Sequence, residues 1–296
     1  MRRSSPTVTV VVPARNEAAN LREVLPQLPP VHEVILVDGD SADGSVAVAR
    51  EVMPHIRVVR QTRRGKGNAL ACGFLAASGD VIVMFDADGS ADPDEIPAFV
   101  QALVDGADFA KGSRYKAGGG SEDITHLRNL GNSGLNFVAN RVFRTKFSDL
   151  CYGYNAFWRD MVPVLDLPDI HAESPQQDLL WGDGFEIETI INCRLAAAQA
   201  LIDEVPSVEL SRIHGESKLR TFRDGARVLR TILAEYKRMR RARRDSTDAL
   251  TRGRDLQPRT DLVEITAHPK RSLSLADEMT LEAMELDHAP SRSSAA

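Results

Sequence analysis

The chain has 296 residues, 43% of them hydrophobic, enough apolar material for one large core or two small ones. Its formal net charge of -5 is unevenly spread: residues 218–244 hold eleven Lys and Arg against Asp224 and Glu235, so the remainder carries a net charge of -14. A basic surface confined to one segment speaks against a nucleic-acid binder, three scattered cysteines (Cys72, Cys151, Cys193) read as reduced thiols without metal-ligand spacing, and no uncharged apolar run approaches the roughly 20 residues that span a bilayer.

Residues 1–6 read as a flexible N-terminus without a signal-peptide apolar segment, which points to the cytoplasm. Short apolar runs then alternate with helical patterns. The pattern predicts strands at Val8–Val12, Glu33–Val37, Ile56–Arg60, Val81–Phe85 and Asp108–Lys111. Between them it predicts helices over Asn16–Leu28, Ser41–Met53 (capped near Ser41 or Asp43), Gly67–Ala77 and Asp94–Val104. This alternation implies an α/β domain with a mostly parallel sheet covered by helices on both faces. Further along, Gly118–Ser121 is a flexible break, Leu127–Phe143 a helix, Asp149–Trp158 extended and 166–184 a loop. Phe185–Gln199 reads as a helix, followed by strands near Leu201–Val205 and Val208–Ile213.

Ligands of such sheets bind beyond the carboxyl ends of the strands. Those ends carry Pro13–Glu17, Asp38–Asp43, Arg63–Asn68 and Asp86–Ser90, which predicts one shared site. Asp86-Ala87-Asp88 is its most informative element. Positions i and i+2 of a strand point the same way, so a slightly bent strand end brings both carboxylates to one divalent cation, and the cation's remaining positions suit a diphosphate. Arg63-Arg64-Gly65-Lys66-Gly67 adds cations and bare backbone before a helix N-terminus, another diphosphate-compatible arrangement, without the spacing of an ATPase P-loop. No Gly-x-Gly-x-x-Gly follows the first strand, which argues against a dinucleotide-dependent oxidoreductase.

Together these segments resemble the inverting family 2 glycosyltransferases of GT-A fold, in particular the polyprenyl (dolichyl) phosphate mannosyl- and glucosyltransferases. The resemblance covers about residues 7–220, implies a GT-A domain over 7–217, and also rests on Gly112-Ser113-Arg114-Tyr115 and Arg212-Ile213-His214-Gly215-Glu216-Ser217-Lys218. It implies that Pro13, Arg15, Glu17 and Asp38 line the donor's nucleoside pocket, and that Lys66, Asp86 and Ala87 also contact the donor. It further implies that Mg²⁺ or Mn²⁺ sits on Asp86 and Asp88, with Ser90 and His214 as additional ligands. Family members commonly carry a second Asp after the one at Asp38; Gly39 stands there instead. The phosphates of donor or acceptor would meet Arg114, Arg128, Arg212, Ser217 and Lys218. A phosphate acceptor is already anionic and needs cations more than a base; a hydroxyl acceptor needs a general base. For that role Glu188 and Glu186 lead, with Asp183 and Asp178 behind them. At i and i+2 on a helix, the two glutamates diverge, so one of them faces the site. Asp149 borders the sugar and acceptor by the same resemblance, and Cys151 is not a nucleophile, since inversion needs no covalent intermediate.

From residue 218, Leu219, Phe222, Ala226, Leu229, Leu233 and Tyr236 form an apolar stripe flanked by Arg220, Arg223, Arg227, Arg230, Lys237, Arg241 and Arg244. Residues 218–244 are therefore a basic amphipathic helix suited to an anionic membrane surface, peripheral at its inner face. Residues 245–296 read as a mostly disordered tail with a weak helix candidate at Ser274–Leu286. The expectation is transfer of a hexose from GDP-mannose or UDP-glucose to a polyprenyl phosphate. The alternatives are transfer to a hydroxyl acceptor, or a catalytically silent membrane-associated partner.

Overall fold

A computed structural model of the chain describes residues 2–122, 124–173, 179–215 and 221–255. A sheet of seven strands forms its centre, in the order β3-β2-β1-β4-β7-β5-β8. The strands are β1 (Val8–Ala14), β2 (Glu33–Asp38), β3 (Arg57–Arg60), β4 (Val81–Met84), β5 (Phe109–Ser113), β7 (Asn155–Trp158) and β8 (Ile202–Pro206). Two short strands, β6 (Gly120–Ser121) and β9 (Val208–Glu209), pair with each other in parallel. The helices are α1 (Ala18–Val24), α2 (Ser45–Val52), α3 (Lys66–Ala76), α4 (Ile96–Val104), α5 (His126–Phe143), α6 (Val162–Leu165), α7 (Ile187–Ala197) and α8 (Thr221–Asp255).

Strand alternation sorts the apolar residues onto two faces. Val10, Val12, Leu36, Val83 and Phe85 pack with Leu21, Ile96 and Phe99 on one side. Val11, Ile35, Val37, Ile82 and Met84 pack with Leu70, Phe74, Ile187 and Ile191 on the other. All the pairings are parallel except those of β7, which runs antiparallel to both β4 and β5. Only the last four residues of the expected extended stretch from Asp149 form this strand. All four are buried, so no polar alternation marked its face or direction in the sequence. Residues 210–213, expected as strand, instead cross the end of β4, where Leu210 N donates to Ser90 O and Ile213 N to Asp88 O. Helix α6 forms where no helix was expected.

Two further expectations need correction. The N-terminal arm is tied down: Arg2 pairs with Asp160 at 2.9 Å and lies over the Trp158 ring at 5.2 Å. Helix α8 continues to Asp255, eleven residues past its expected end. It packs inward through the face beside the apolar stripe. Thr231, Ile232 and Glu235 are buried, with Val228 and Tyr236 packed beside them, while Leu229 and Leu233 of the apolar stripe remain 39% and 46% exposed. The cause is an ion pair. Arg194 of α7 binds Glu235 through Nε and Nη2, both at 3.0 Å, and Trp181 Nε1 donates to the same carboxylate at 3.0 Å. Leu219, the expected tail from 256 and its helix candidate lie outside the described residues, as does the side chain of Phe222. Among the described residues no helix is long and apolar enough to cross a membrane.

Because Arg194 and Glu235 are both nearly inaccessible, removing one strands the other. Glu235→Ala is expected to cost about 3–5 kcal/mol in denaturant unfolding, whereas Leu233→Ala on the exposed face should cost under about 1 kcal/mol.

Candidate active site

Helix α3 begins at Lys66, and the chain before it is shaped by Gly65, at φ +121°. A Cβ on Gly65 or Gly67 would fall within 2.0 Å of Asp183 O or 1.8 Å of Gly182 O, respectively. These glycines therefore let the turn lie flush against 182–183, where Gly67 N donates to Asp183 O at 2.8 Å. Arg63 is consumed by the same contact, bound to Asp183 at 2.8 and 2.9 Å. The bare backbone and arginine of this motif thus serve the fold, and Lys66 is the part that reaches the site. Its Nζ lies 2.8 Å from Asp86 Oδ1, 2.9 Å from Asp86 Oδ2 and 2.6 Å from Glu188 Oε1. Burial disfavours the ammonium charge, but the two carboxylates overcome it and raise the lysine pKa above its ordinary value. Asp86 is shifted upward, chiefly by burial, with Asp88 and Glu188 adding to the effect against Lys66.

Asp88 follows at the end of β4. Its Oδ1 accepts from Ser90 N at 3.1 Å and Ser90 Oγ at 2.6 Å, and its Oδ2 lies 3.3 Å from Arg212 Nε. Gly89, at φ +78°, makes room for Ile213, whose side chain would otherwise meet a Cβ at 2.6 Å. The backbone bonds that seat 210–213 therefore also deliver Arg212 to Asp88. Asp86, Asp88 and Ser90 form a hard oxygen donor set, the kind that suits Mg²⁺ or Mn²⁺. Among the described residues no group of three or more His, Cys, Asp or Glu could hold a metal. His214 is placed elsewhere: its Nε2 is 2.7 Å from Glu23 of α1, and its backbone is clasped by Asn20.

The loops after β1 and β2 are laced together beyond the sheet edge. Asn16 N donates to Ser41 Oγ, Glu17 N to Ser45 Oγ and Ala18 N to Asp43 Oδ2, each at 2.9–3.0 Å. Pro13 ends in this cradle, Glu17 accepts from Asn20 Nδ2, and Asp38 accepts from Ser41 N at 3.2 Å. Gly39 N is bonded to Ala14 O, and a Cβ there would press on Arg15 Cβ at 3.0 Å. The departure at Gly39 thus fits the path taken by Arg15.

Asp149 is fully buried and binds Arg114 through Nε at 2.7 Å and Nη2 at 2.9 Å. Arg114 also reaches Glu209 at 2.9 Å and stacks on Tyr152, 4.9 Å from the ring centroid. Burial opposes the Asp149 charge, but Arg114 overcomes this and holds the carboxyl below its ordinary range. This arrangement gives Asp149 the work of orienting Arg114, not that of a base. The loop containing it is fastened by three asparagines of α5. Asn132 Nδ2 donates to Asp149 at 3.0 Å, Asn136 accepts from Leu150 N at 2.8 Å, and Asn140 bonds both backbone groups of Phe147 at 2.7 and 2.8 Å. Their four-residue spacing was a readable sign of one bonding helix face.

A cleft of about 260 Å³ joins these parts. Lys66, Asp86, Ser90, Glu188 and Arg212 line it together with Arg114, Arg128 and Arg227 and the apolar Leu135, Phe185 and Val228. Of the two candidate glutamates, Glu188 faces the cleft. Glu186 turns back to accept from Gly182 N and Gly184 N at 3.1 and 3.2 Å. Cys151 also lines the cleft, but burial, reinforced by Asp149, pushes its thiol up to about 12, so it is no thiolate at neutral pH. Ser217, Lys218 and Asp178 lie outside the described residues. The contribution of α8, through Asp224, Gly225, Arg227 and Val228, had no local signal, because only tertiary packing brings 224–228 against α5.

Asp149→Asn is expected to destabilise the fold at neutral pH by about 3 kcal/mol or more, leaving Arg114 without its buried counter-charge. Since the Asp149 pKa is depressed on folding, its contribution is complete above the unfolded value near 3.9 and is lost as pH falls through the folded value. The stability gap between parent and variant, measured by denaturant titration, should therefore narrow only in strong acid.

Similarity to known proteins agrees with this geometry. The model of the glycosyl transferase family 2 domain matches residues 9–165. The dolichol-phosphate mannosyltransferase of Pyrococcus furiosus is 31% identical over 224 residues, covering 72% of this chain; the match spans 59% of that protein's length. The undecaprenyl-phosphate mannosyltransferase of Micrococcus luteus is 30% identical over 223 residues, covering 72% of this chain and 87% of its own. Among solved structures, glucosyl-3-phosphoglycerate synthase from Mycobacterium tuberculosis, crystallised with Mn²⁺, UDP and glucosyl-3-phosphoglycerate, superposes with a TM-score of 0.60 at 22% identity, over 79% of this chain and 81% of that one. A parallel sheet interrupted by one antiparallel strand, with Asp86 and Asp88 at its carboxyl edge, thus belongs to a family 2 glycosyltransferase of GT-A-like fold.

Proposed function

We propose that the enzyme transfers a hexose, with inversion, from a nucleoside diphosphate sugar, GDP-mannose or UDP-glucose, to a polyprenyl phosphate. The observation that carries this reading is the character of the cleft. Beyond Asp86 it is lined by Arg114, Arg128, Arg212 and Arg227, and the candidate base that faces it among the described residues, Glu188, is already engaged by Lys66. A site built for a neutral hydroxyl needs a carboxylate available to take a proton; a site for a phosphate monoester needs cations. The similarity to two mannosyltransferases whose names specify dolichol phosphate and undecaprenyl phosphate supports the same acceptor class.

The residues divide the work as follows. The 15–18 and 38–45 loops hold the nucleoside, with Pro13, Arg15, Glu17 and Asp38 at the contact. Asp86 and Asp88, with Ser90 supporting Asp88, would hold Mg²⁺ or Mn²⁺, which when bound neutralises charge on the departing diphosphate. Lys66 keeps Asp86 and Glu188 from repelling each other and offers a cation to the diphosphate. Arg114, kept rigid by Asp149 and Tyr152, and Arg212, seated by the 210–213 segment, orient the acceptor phosphate. One acceptor oxygen bonds to the anomeric carbon as the bond to the diphosphate breaks, and the nucleoside diphosphate leaves with its electron pair.

The acceptor's lipid requires proximity to a membrane, and two helices present suitable surfaces. Leu127, Leu130 and Phe137 of α5 are 50%, 73% and 73% exposed, and α8 presents Leu229 and Leu233 among its arginines and Lys237. Such faces favour anionic interfaces over bulk water.

With Mn²⁺ or Mg²⁺, release of nucleoside diphosphate should depend on polyprenyl phosphate and yield a glycosylated lipid. Asp88→Ala and Arg212→Ala are each expected to lose about 10²–10³-fold in kcat/KM. Glu188→Gln should fall well short of the 10²–10⁴-fold loss that accompanies removal of a general base. Donor turnover with a hydroxyl acceptor and none with the lipid, abolished in Glu188→Gln, would overturn the phosphate-acceptor reading. In vesicle sedimentation, the protein should bind anionic liposomes more than zwitterionic ones, and a Leu130→Ser, Phe137→Ser double variant should bind less.

A further inference from the structure

The seam between α5 and α8 changes character along its length. In the later turns it is closed: Ala139 and Phe143 are buried with Ile232, and the Phe143 and Tyr236 rings meet edge to face at 6.5 Å. Counting back three or four residues keeps to the same face of a helix. On α5 this leads from Ala139 to Leu135 and Gly131; on α8 it leads from Ile232 to Val228 and Gly225. All four of these positions line the cleft. The seam therefore parts where its apolar side chains give way to glycine.

Neither glycine is explained by the fold. A Cβ built on Gly131 or Gly225 meets nothing within 4 Å, so close packing does not require either. Neither has a positive φ, so backbone conformation does not require them. Both lie within helices, where glycine is less favourable than alanine. What their missing side chains provide is width. Beside Gly131, the buried Asn132 has its Nδ2 on Asp149 but no donor to its Oδ1 among the described residues.

We propose that Gly131 and Gly225 hold the mouth of the cleft open for the first isoprenoid units of a polyprenyl phosphate, whose phosphate lies among Arg114, Arg128, Arg212 and Arg227. The inference rests on the acceptor assigned above and adds the residues that select it. The lining combines four arginines with Leu135, Val228 and Phe185, which favours a molecule with an anionic end and an apolar body. A soluble phosphate would gain nothing from that apolar wall.

The test compares Gly131→Ala, Gly131→Leu and Gly225→Leu in the full chain. Three rates are followed: transfer to polyprenyl phosphate, transfer to butyl phosphate, and hydrolysis of the sugar donor by water. Both leucine variants are expected to lose at least about tenfold in kcat/KM for polyprenyl phosphate, with donor hydrolysis and butyl phosphate transfer within about twofold of the parent. Gly131→Ala should show an intermediate loss while melting at a higher temperature than the parent, which separates an open groove from a packing glycine. Leucine variants that use polyprenyl phosphate as the parent does would overturn the assignment, as would an equal loss of all three rates. A parent that makes no lipid product, yet glycosylates a hydroxyl acceptor, would instead refute the acceptor reading beneath it.

Discussion

Three carboxylates, Asp86, Asp88 and Glu188, crowd the carboxyl edge of the sheet, and the Lys66 ammonium group bridges two of them. Left alone, such groups repel one another at a cost that burial increases. The lysine offsets that repulsion, and much of the surrounding architecture serves to place it. Gly65 and Gly67 let the turn before α3 dock on 182–183, which also fixes the approach to α7 and hence Glu188. Two segments 122 residues apart in sequence are thereby joined at one charge. The same arrangement bears on chemistry, because a glutamate already bound to an ammonium is a poor general base and a good support.

Three buried arginine–carboxylate pairs extend this pattern through the molecule. Arg63–Asp183 fastens the turn to the α7 approach, Arg114–Asp149 joins the end of β5 to the loop held by α5, and Arg194–Glu235 sets the rotation of α8. Each joins segments at least 35 residues apart. Pairs of this kind contribute modestly to net stability, but they penalise misplacement severely, because either charge is costly to bury alone. The cleft is bounded by elements that all three pairs position. Its width and charge therefore depend on long-range electrostatics as much as on the hydrophobic sheet below it.

The α/β architecture was legible in the sequence because β1, β2 and β4 are continuous apolar runs bounded by polar turns, and buried parallel strands need little else. The site's location was legible for the same reason: once the strands are placed, their carboxyl ends carry Asp38, Lys66, Asp86 and Asp88 to one edge. Where the sequence misled, a local pattern admitted two outcomes. The apolar run of α8 contained two adjacent faces, and the inward one was chosen by Glu235, which reads as a surface residue until Arg194 and Trp181 are placed beside it. His214 reads equally well as a metal ligand or a partner of Glu23, and Arg63 as a phosphate ligand or a partner of Asp183; only the fold brings in the competing carboxylate.

The sequence by itself determined the order of strands and helices as far as β5, the edge at which chemistry collects, and the kinds of group gathered there. It could do so because those properties follow from short-range periodicity and from residues close together in the chain. Tertiary structure alone decided which glutamate faces the cleft, that Asp149 orients an arginine, and that α8 closes one wall with Gly225 and Arg227. These outcomes turn on contacts between segments tens to hundreds of residues apart, where direction, rotation and burial are set by partners that no local pattern reveals.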